Sequence, residues 1–197
     1  MRIFFTPNDR IYTFVIINSM PTKVLLESKK INLILSRLVC ELIENHKDFN
    51  NTILIGLQPR GVFLFNEILK VFESKHPDLN IKSGILDFTF FRDDFRRSEK
   101  TLSANSSEIN FTIENKRIVL IDDVLFTGRS IKAAMSAIDS YGRPKSIELL
   151  VLVDRRFKRE IPVEANYFGT KIDTFKGDKV KVVWDKENIN NKVFIES

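Results

Sequence analysis

Residues 118–130 read IVLIDDVLFTGRS: four aliphatic residues run into two adjacent aspartates, and a short loop follows that ends Thr-Gly-Arg-Ser. Two like charges there do nothing for a packed core, because carboxylates taken out of water lose hydration and repel each other. They suit a ligand outside it. A carboxylate pair accepts hydrogen bonds from vicinal hydroxyls, so Asp122 and Asp123 fit the hydroxyl edge of a sugar such as ribose. Beyond Val124 and Leu125, the backbone amides of Phe126 to Arg129, the Thr127 and Ser130 hydroxyls and the dipole of a following helix form an anion nest. Gly128 lets the backbone come close. The stretch therefore fits a ligand that is polyhydroxylated at one end and a monophosphate at the other.

Such a site needs a strand to deliver the aspartates and a helix that starts at the loop. RIVLI (117–121) reads as the strand. Ser130 to Tyr141 reads as the helix, with Ile131, Ala134, Met135 and Ile138 inward and Gly142 placed to end it. Upstream, Ile31, Leu35, Leu38, Leu42 and Ile43 recur at helical spacing between Ser28 and about His46, with Arg37, Glu41 and Glu44 outward. Residues 51–57 form a short buried strand, Gly61 to Phe72 a second amphipathic helix, and 84–90 a strand with alternating faces. Residues 147–153 form another buried strand, followed by strands at 180–184 and 192–195. Residues 92–116 are polar and patternless, which predicts a functional, flexible loop. The alternation predicts an α/β domain with a Rossmann-like, mostly parallel sheet flanked by helices. In such sheets ligands bind beyond the carboxyl ends of the strands, where the aspartates stand.

Composition bounds the remaining choices. The 197 residues suit one domain, and 43% hydrophobic with 29% charged residues fits a soluble globular chain. Cys40 is the single cysteine, which excludes an internal disulfide framework or a multi-cysteine metal site and points to a reducing, cytoplasmic setting. His46 and His76 are the only histidines and lack metal-ligand company, against a zinc enzyme or a Ser-His-Asp hydrolase. The net charge of +5 fits nucleic acid or a small anionic substrate alike. At the N-terminus the apolar run Ile11 to Ile17 is too short to span a membrane. Met20 opens MPTKVLLESKK, which reads as a start leading into the first helix. Residues 1–19 are thus expected to be an extension or a mis-called start, and 20–197 the working domain.

The stretch IDDVLFTGRS resembles the ribose-phosphate loop of the type I phosphoribosyltransferases, which bind 5-phosphoribosyl-1-pyrophosphate (PRPP). GLQPRG (56–61), FTFFRDDF (88–95), YGRPKSIELLVLVDR (141–155) and KVKVVWDKENINN extend the resemblance, in order and spacing, to the PyrR-type pyrimidine-operon attenuators. It covers nearly everything from Ser28 onward. That family combines RNA-binding regulation with uracil phosphoribosyltransferase activity and implies a type I phosphoribosyltransferase fold with a small hood and a flexible loop. By this resemblance Leu57, Gln58, Pro59, Arg60 and Gly61 form the pyrophosphate loop. Arg92 reaches the pyrophosphate when the 92–116 loop closes. Asp122 and Asp123 take the ribose hydroxyls, and Thr127 to Ser130, Arg129 included, the 5-phosphate. Arg60, Arg92, Asp122 and Asp123 carry the catalysis; Asp154, Arg155, Tyr167 and Trp184 resemble the base pocket. Mg2+ accompanies PRPP, near Asp122, Asp123 and Asp185. Implied partners are PRPP, uracil, UMP as product or effector, an mRNA leader, and a second copy in a homodimer or larger oligomer, with no membrane.

Departures from the pattern bear on specificity. Purine-using relatives carry an acid just before the loop threonine; this chain has Phe126 there, which favours a pyrimidine. Residues 154–162 read DRRFKREIP, one residue longer than the family's segment and without its glycine and histidine, and Pro59 replaces a threonine. On the RNA side Ser36, Arg37, Arg143 and Lys145 remain and Arg155 joins a fresh basic cluster, but Asn32, Leu33, Cys40 and Asn45 stand where arginines or a histidine are usual. Losing phosphate-neutralising charges lowers RNA affinity steeply. The cluster Arg155, Arg156, Lys158, Arg159 fits either RNA or the entrance of an anionic substrate. Three readings stay open: an enzyme making UMP, a UMP- or PRPP-sensing RNA-binding regulator, and a phosphoribosyltransferase for another base.

Overall fold

The computed structural model describes residues 22–93, 106–175, 177–185 and 190–196. The expected extension at 1–19 and residues 94–105 of the expected loop lie outside them. Five strands form one sheet in the spatial order β3 (Lys82–Leu86), β2 (Thr52–Leu57), β4 (Arg117–Leu125), β5 (Ser146–Arg156), β6 (Tyr167–Asp173), and every neighbouring pair is parallel. The aliphatic run Ile118–Ile121 is the centre of this sheet and is buried on both faces. Val119 and Ile121 pack on the side of α1 (Ser28–His46) and α2 (Gly61–Lys75), whereas Ile118 and Leu120 pack on the side of α3 (Arg129–Ile138). A strand covered on both faces reads as continuous hydrophobics, which explains its lack of alternation.

Chain connectivity then fixes where a ligand can sit. From β2 the chain passes through α2 to β3 on one side; from β4 it passes through α3 to β5 on the other. The β2–β4 boundary is therefore the point where the connections diverge, and the crevice beyond the carboxyl ends of those two strands is left uncovered. Pairing of β2 with β4 stops at Gly56–Ile121, while β4 continues to Leu125 alongside β5. Asp122 and Asp123 thus project past the end of β2 into that crevice.

Three further strands, β1 (Thr22–Glu27), β7 (Lys179–Val183) and β8 (Lys192–Glu196), form a separate antiparallel sheet in the order β1-β8-β7. Leu26, Val180 and Val193 bury it against the α1 side of the core, and Ser28 Oγ donates to the Asn191 carbonyl at 3.0 Å. This is the small hood, seated where α1 begins. Because α1 runs back along β2, its first residues lie at the carboxyl end of the sheet and His46 at the amino end.

Several elements differ from the sequence reading. β1 and β6 have no counterpart in it, because TKVLLE reads as the lead into the first helix and YFGTKID interrupts its apolar residues with glycine and charge. The strand expected at 84–90 ends at Leu86: Asp87 Oδ1 accepts from the Thr89 amide at 2.6 Å and turns the chain into a 3-10 turn at Thr89–Phe91. α3 stops at Ile138 rather than Tyr141, where Ser140 and Tyr141 donate to carbonyls three residues back. The later part of the polar stretch packs on the core, with Ile113 fully buried, Ile109 nearly so, and Glu108 bridged to Ile85.

Candidate active site

β4 delivers Asp122 half-buried and Asp123 only 6% exposed, and the Asp123 amide donates to Asp122 Oδ1 at 2.9 Å. Burial, together with the Asp123 charge beside it, holds the Asp122 carboxyl well above the usual carboxylate range. Burial also raises Asp123, against the opposing pull of the Arg60 guanidinium. Arg60 is exposed in the loop after β2, so the pair faces one cation across the crevice. The Gln58–Pro59 peptide in that loop is cis, and the Gln58 amide donates to the Leu86 carbonyl at 3.0 Å, tying the loop to β3. Gly61 opens α2 in direct contact with β4: a Cβ there would collide with the Ile121 carbonyl oxygen and stand 2.9 Å from the Asp122 Cα. Of the expected pyrophosphate loop Leu57, Gln58, Pro59, Arg60 and Gly61, the structure brings Gly61 and Arg60 to the aspartates, while Gln58 is tied to β3.

Across β4 the turn Phe126–Ser130 leads into α3, with Gly128 left-handed at φ 89° as the residue before the helix. Such a φ suits glycine because a Cβ would crowd the backbone. The Arg129 amide points toward Thr127 Oγ1, 3.4 Å away, and the Lys132 amide closes the first helical turn on the Gly128 carbonyl at 3.0 Å. The Arg129 side chain points outward and pairs with Asp93 and, at 2.5 Å, with Glu160. Arg92, whose amide donates to the Thr89 carbonyl at 3.3 Å, immediately precedes Asp93, so the start of the expected loop is tied to the anion nest.

The segment after β5 wraps the outside of this turn. Arg159 donates to the Phe126 carbonyl and, at 2.5 Å, to Asp154 Oδ1; the Glu160 and Ile161 amides both reach the Thr127 carbonyl, at 2.9 and 3.0 Å. Arg155 is 5% exposed and lies over the Phe126 ring, 3.8 Å from its centroid, while donating to Thr174 Oγ1 and the Asp178 carbonyl. Burial lowers its pKa. Sequence reasoning assigned no role to Asp93, Arg159 or Glu160 at this turn. Their pairing arises from packing of segments 31 to 36 residues apart, which no local spacing announces.

Other expected site residues fall elsewhere. Tyr167 is the first residue of β6 and pairs with Leu150, the partner of Ile121 beside Asp122, but its side chain turns back toward the amino end of the sheet. There its hydroxyl donates to Glu148 at 2.8 Å and meets His46 Nε2 at 3.2 Å, while His46 Nδ1 meets Thr52 Oγ1 at 3.0 Å. The hydroxyl of Tyr167, expected in the base pocket, is thus engaged by Glu148 and His46. Trp184 lies at the end of β7 against α2, lining a cleft of about 420 Å³ with Phe63, Asn66 and Lys70. Its indole N–H is buried without a partner among the described residues. Asp185 follows it, and its carboxylate accepts from the Asn190 amide at 3.2 Å; no hydrogen bond or ion pair joins it to Asp122 or Asp123 among the described residues.

The expected RNA contacts do not gather on this chain. Arg143 and Lys145 are exposed just before β5, and Arg155 to Arg159 begin at its far end, roughly 30 Å away along a strand rising about 3.3 Å per residue. Arg37 is held by Glu41 and by the Phe168 and Gly169 carbonyls. Arg156 pairs with Asp173 at 2.6 Å. Arg155, expected among the RNA contacts, is instead buried against the Phe126 ring.

Two hard carboxylate oxygens beside an open crevice fit Mg2+, which takes one or two carboxylates and completes its shell with water and substrate phosphates. Among the described residues no three His, Cys, Asp or Glu side chains gather into a protein-only cage. No helix among them is long and apolar enough to cross a membrane.

Comparison with known proteins matches this architecture. Residues 21–187 match the family model described as the phosphoribosyl transferase domain. The bifunctional protein PyrR of Caldicellulosiruptor bescii is 41% identical over 174 residues, 88% of this chain and 94% of that protein. The PyrR proteins of Geobacter sulfurreducens and Enterococcus faecalis are 38% and 35% identical, each covered over 97% of its length by 88% and 89% of this chain. The fold is that of a hypoxanthine phosphoribosyltransferase from Staphylococcus aureus, with TM-score 0.61 at 21% identity over 85% of this chain and 86% of that one. It is also that of the Trypanosoma cruzi enzyme, with TM-score 0.64 at 13% identity over 88% and 95%. With a parallel sheet, a paired carboxylate at its switch point and an anion nest beside it, the chain belongs to the phosphoribosyltransferases and, within them, to the PyrR proteins.

Proposed function

We propose that this chain transfers the 5-phosphoribosyl group of PRPP to uracil, forming UMP and pyrophosphate. The observation that carries the reading is the convergence of three features at one crevice: the Asp122–Asp123 pair, the Arg60 loop on one side and the Phe126–Ser130 turn on the other. Their order along the crevice matches the order of pyrophosphate, ribose hydroxyls and 5-phosphate in PRPP. Asp122 and Asp123 would accept from the 2- and 3-hydroxyls, Thr127 to Ser130 would hold the 5-phosphate, and residues 57–61 with Arg60 the pyrophosphate. Arg92 would approach the pyrophosphate from the start of the 94–105 segment.

In the reaction the C1–oxygen bond to pyrophosphate breaks, leaving an oxocarbenium-like sugar, and the uracil N1 forms the new C1–N bond as its proton passes to pyrophosphate or water. The chain's own share is positioning and charge: the aspartates hold the ring so that C1 faces the base, and Arg60 stabilises the departing oxygens. Mg2+ held by substrate phosphates and the Asp122–Asp123 edge would, when bound, add positive charge where the leaving group gains negative charge. Phe126 supports a pyrimidine. Its ring is covered by Arg155 and supplies no acid for proton exchange with a purine ring nitrogen.

The relatives are bifunctional PyrR proteins, which favours a second reading beside the first: a nucleotide-sensing RNA-binding regulator. The exposed Arg143 and Lys145 are the residues of this chain that support it. A homodimer in the cytoplasm would be the working form for either reading. The test is PRPP- and Mg2+-dependent turnover of labelled uracil beside hypoxanthine, xanthine and orotate, with Asp123→Asn as control. Turnover of uracil alone, lost in the control, is expected. Binding of PRPP or UMP without turnover of any base would move the regulator reading to the front.

A further inference from the structure

The turn that leads from β4 into α3 must present N–H groups inward, yet nothing in its own sequence dictates which way its peptides face. The segment after β5 supplies that instruction. A trans peptide is planar, with its C=O and N–H pointing in opposite directions. The Phe126 carbonyl is taken from outside by Arg159, so the Thr127 N–H of the same peptide points the other way. The Thr127 carbonyl is taken from outside by the Glu160 and Ile161 amides, at 2.9 and 3.0 Å, so the Gly128 N–H also points away from them. The Gly128 carbonyl is taken by the Lys132 amide. Three successive carbonyls are thus occupied, the first two by the segment after β5 and the third by α3, and no protein acceptor takes the Thr127 or Gly128 N–H among the described residues.

The segment that does this is itself held in place. Asp154, 6% exposed at the end of β5, fixes the Arg159 guanidinium at 2.5 Å. Phe157 starts the strap in a left-handed conformation at φ 70°, which a bulky residue keeps only when its surroundings demand it. Ile161 closes over Gly128, within 3.1 Å of where a Cβ would stand. Arg155 meanwhile covers the Phe126 ring from the neighbouring strand end.

We propose that Arg159, oriented by Asp154, is a positioning residue for the 5-phosphate of the substrate: it turns the 126–128 peptides so that the Thr127 and Gly128 amides converge on the anion nest. Arg159 touches no substrate atom itself. The inference deepens the reading of residues 126–130 as the phosphate loop and rests on it. It also gives a task to the one segment that departs from the family pattern in length.

The experiment is calorimetric titration of the full chain with ribose 5-phosphate, PRPP and pyrophosphate, for the wild type, Arg159→Ala, Arg159→Lys and Asp154→Asn. Losing a charge-assisted hydrogen bond that orients two donors should weaken ribose 5-phosphate and PRPP about tenfold in Arg159→Ala. Pyrophosphate, bound by the loop after β2, should change by less than about twofold, because sites without shared partners respond independently. Arg159→Lys should recover part of the loss, since it keeps a cationic donor but not the fork that also holds Asp154. Asp154→Asn should show the same ligand selectivity at smaller size, and it serves if Arg159→Ala fails to fold. In turnover the KM for PRPP should rise while kcat at saturation stays nearly constant. Wild-type affinity for ribose 5-phosphate in Arg159→Ala overturns the proposal, as does equal weakening of ribose 5-phosphate and pyrophosphate. A wild type that binds neither ribose 5-phosphate nor PRPP overturns the phosphate-loop reading itself, and is recognised before any substitution is made.

Discussion

Gly61, the first residue of α2, lies against Asp122 so closely that a Cβ on it would stand 2.9 Å from the Asp122 Cα and 3.1 Å from Oδ1. The start of the helix after β2 and the aspartate edge of β4 are therefore one rigid joint. Gly61→Ala would drive a methyl into the β4 backbone, which has no room to yield at the centre of the sheet. We expect a loss of about 1–3 kcal/mol of stability, typical of overpacking, and a drop in turnover larger than the stability loss explains. Denaturant melts beside kinetics check both. Wild-type turnover in a destabilised Gly61→Ala would show that the contact serves packing alone.

The aspartate pair costs the free protein stability. Both carboxyls are raised above their usual value of 3.8 by burial, Asp122 further by the Asp123 charge. In the unfolded chain each releases its proton near 3.8, while the folded chain still holds it, so stability falls as pH rises from about 3.8 through the raised folded value. Asp122→Asn should therefore raise Tm at pH 7, by roughly 2–4 °C if about 1 kcal/mol is relieved, while abolishing most activity. The Tm advantage should shrink as pH falls toward 4. Melts of both proteins across pH 4–8 measure it, and an Asp122→Asn that melts below the wild type at pH 7 refutes the argument.

How much of this was readable beforehand depends on where each contact originates. IVLIDD announces itself because a strand buried on both faces must be continuously aliphatic, and because carboxylates at its end have no core role; the turn after it carries its chemistry in sequence order. Tyr167 shows the limit. It stands in a segment that reads as irregular, and only the fold, in which its hydroxyl meets Glu148 and His46, shows that its side chain serves the cluster at the start of β2. Arg159 shows the same limit from the other side: its partners Asp154 and Phe126 are set by the path of the strap, not by spacing. The hood was half legible, since β7 and β8 were read as strands but β1, which closes their sheet, was not.

Arg155 should prove structural and local to the anion nest. Replacing it with Met keeps much of the stem's packing but removes the stack on Phe126 and leaves Thr174 and the Asp178 carbonyl without their donor. A destabilisation of about 2–3 kcal/mol is expected from groups left unsatisfied in a buried setting. Affinity for RNA, if the chain binds any, should respond no more than this stability loss implies. A salt-titrated shift assay separates the two, since removal of a phosphate contact would lower the salt slope by about one. An Arg155→Met variant of wild-type stability with a reduced salt slope would restore Arg155 to the RNA surface.

His46 should make the fold acid-sensitive through the far end of the sheet. Its ring is buried at the end of α1, between Thr52 Oγ1 on β2 and the Tyr167 hydroxyl and Glu148 carboxylate on β6 and β5, with Arg117 of β4 nearby. Burial lowers its pKa from 6.5, Glu148 opposes this, and Arg117 adds to it. Below 6.5 the unfolded chain therefore takes up a proton that the folded chain refuses, so the stability present above 6.5 is lost as pH falls through that value toward the lower folded one. The four strand and helix ends joined at this cluster should loosen together. His46→Gln keeps a polar group of similar reach but cannot titrate, so it should lower Tm somewhat at pH 7.5 and flatten the fall between pH 6.5 and 5.5. Parallel melts of the two proteins decide the matter. Equal slopes in that window would mean that Glu148 holds the imidazolium well enough to cancel burial, and that acid sensitivity arises elsewhere.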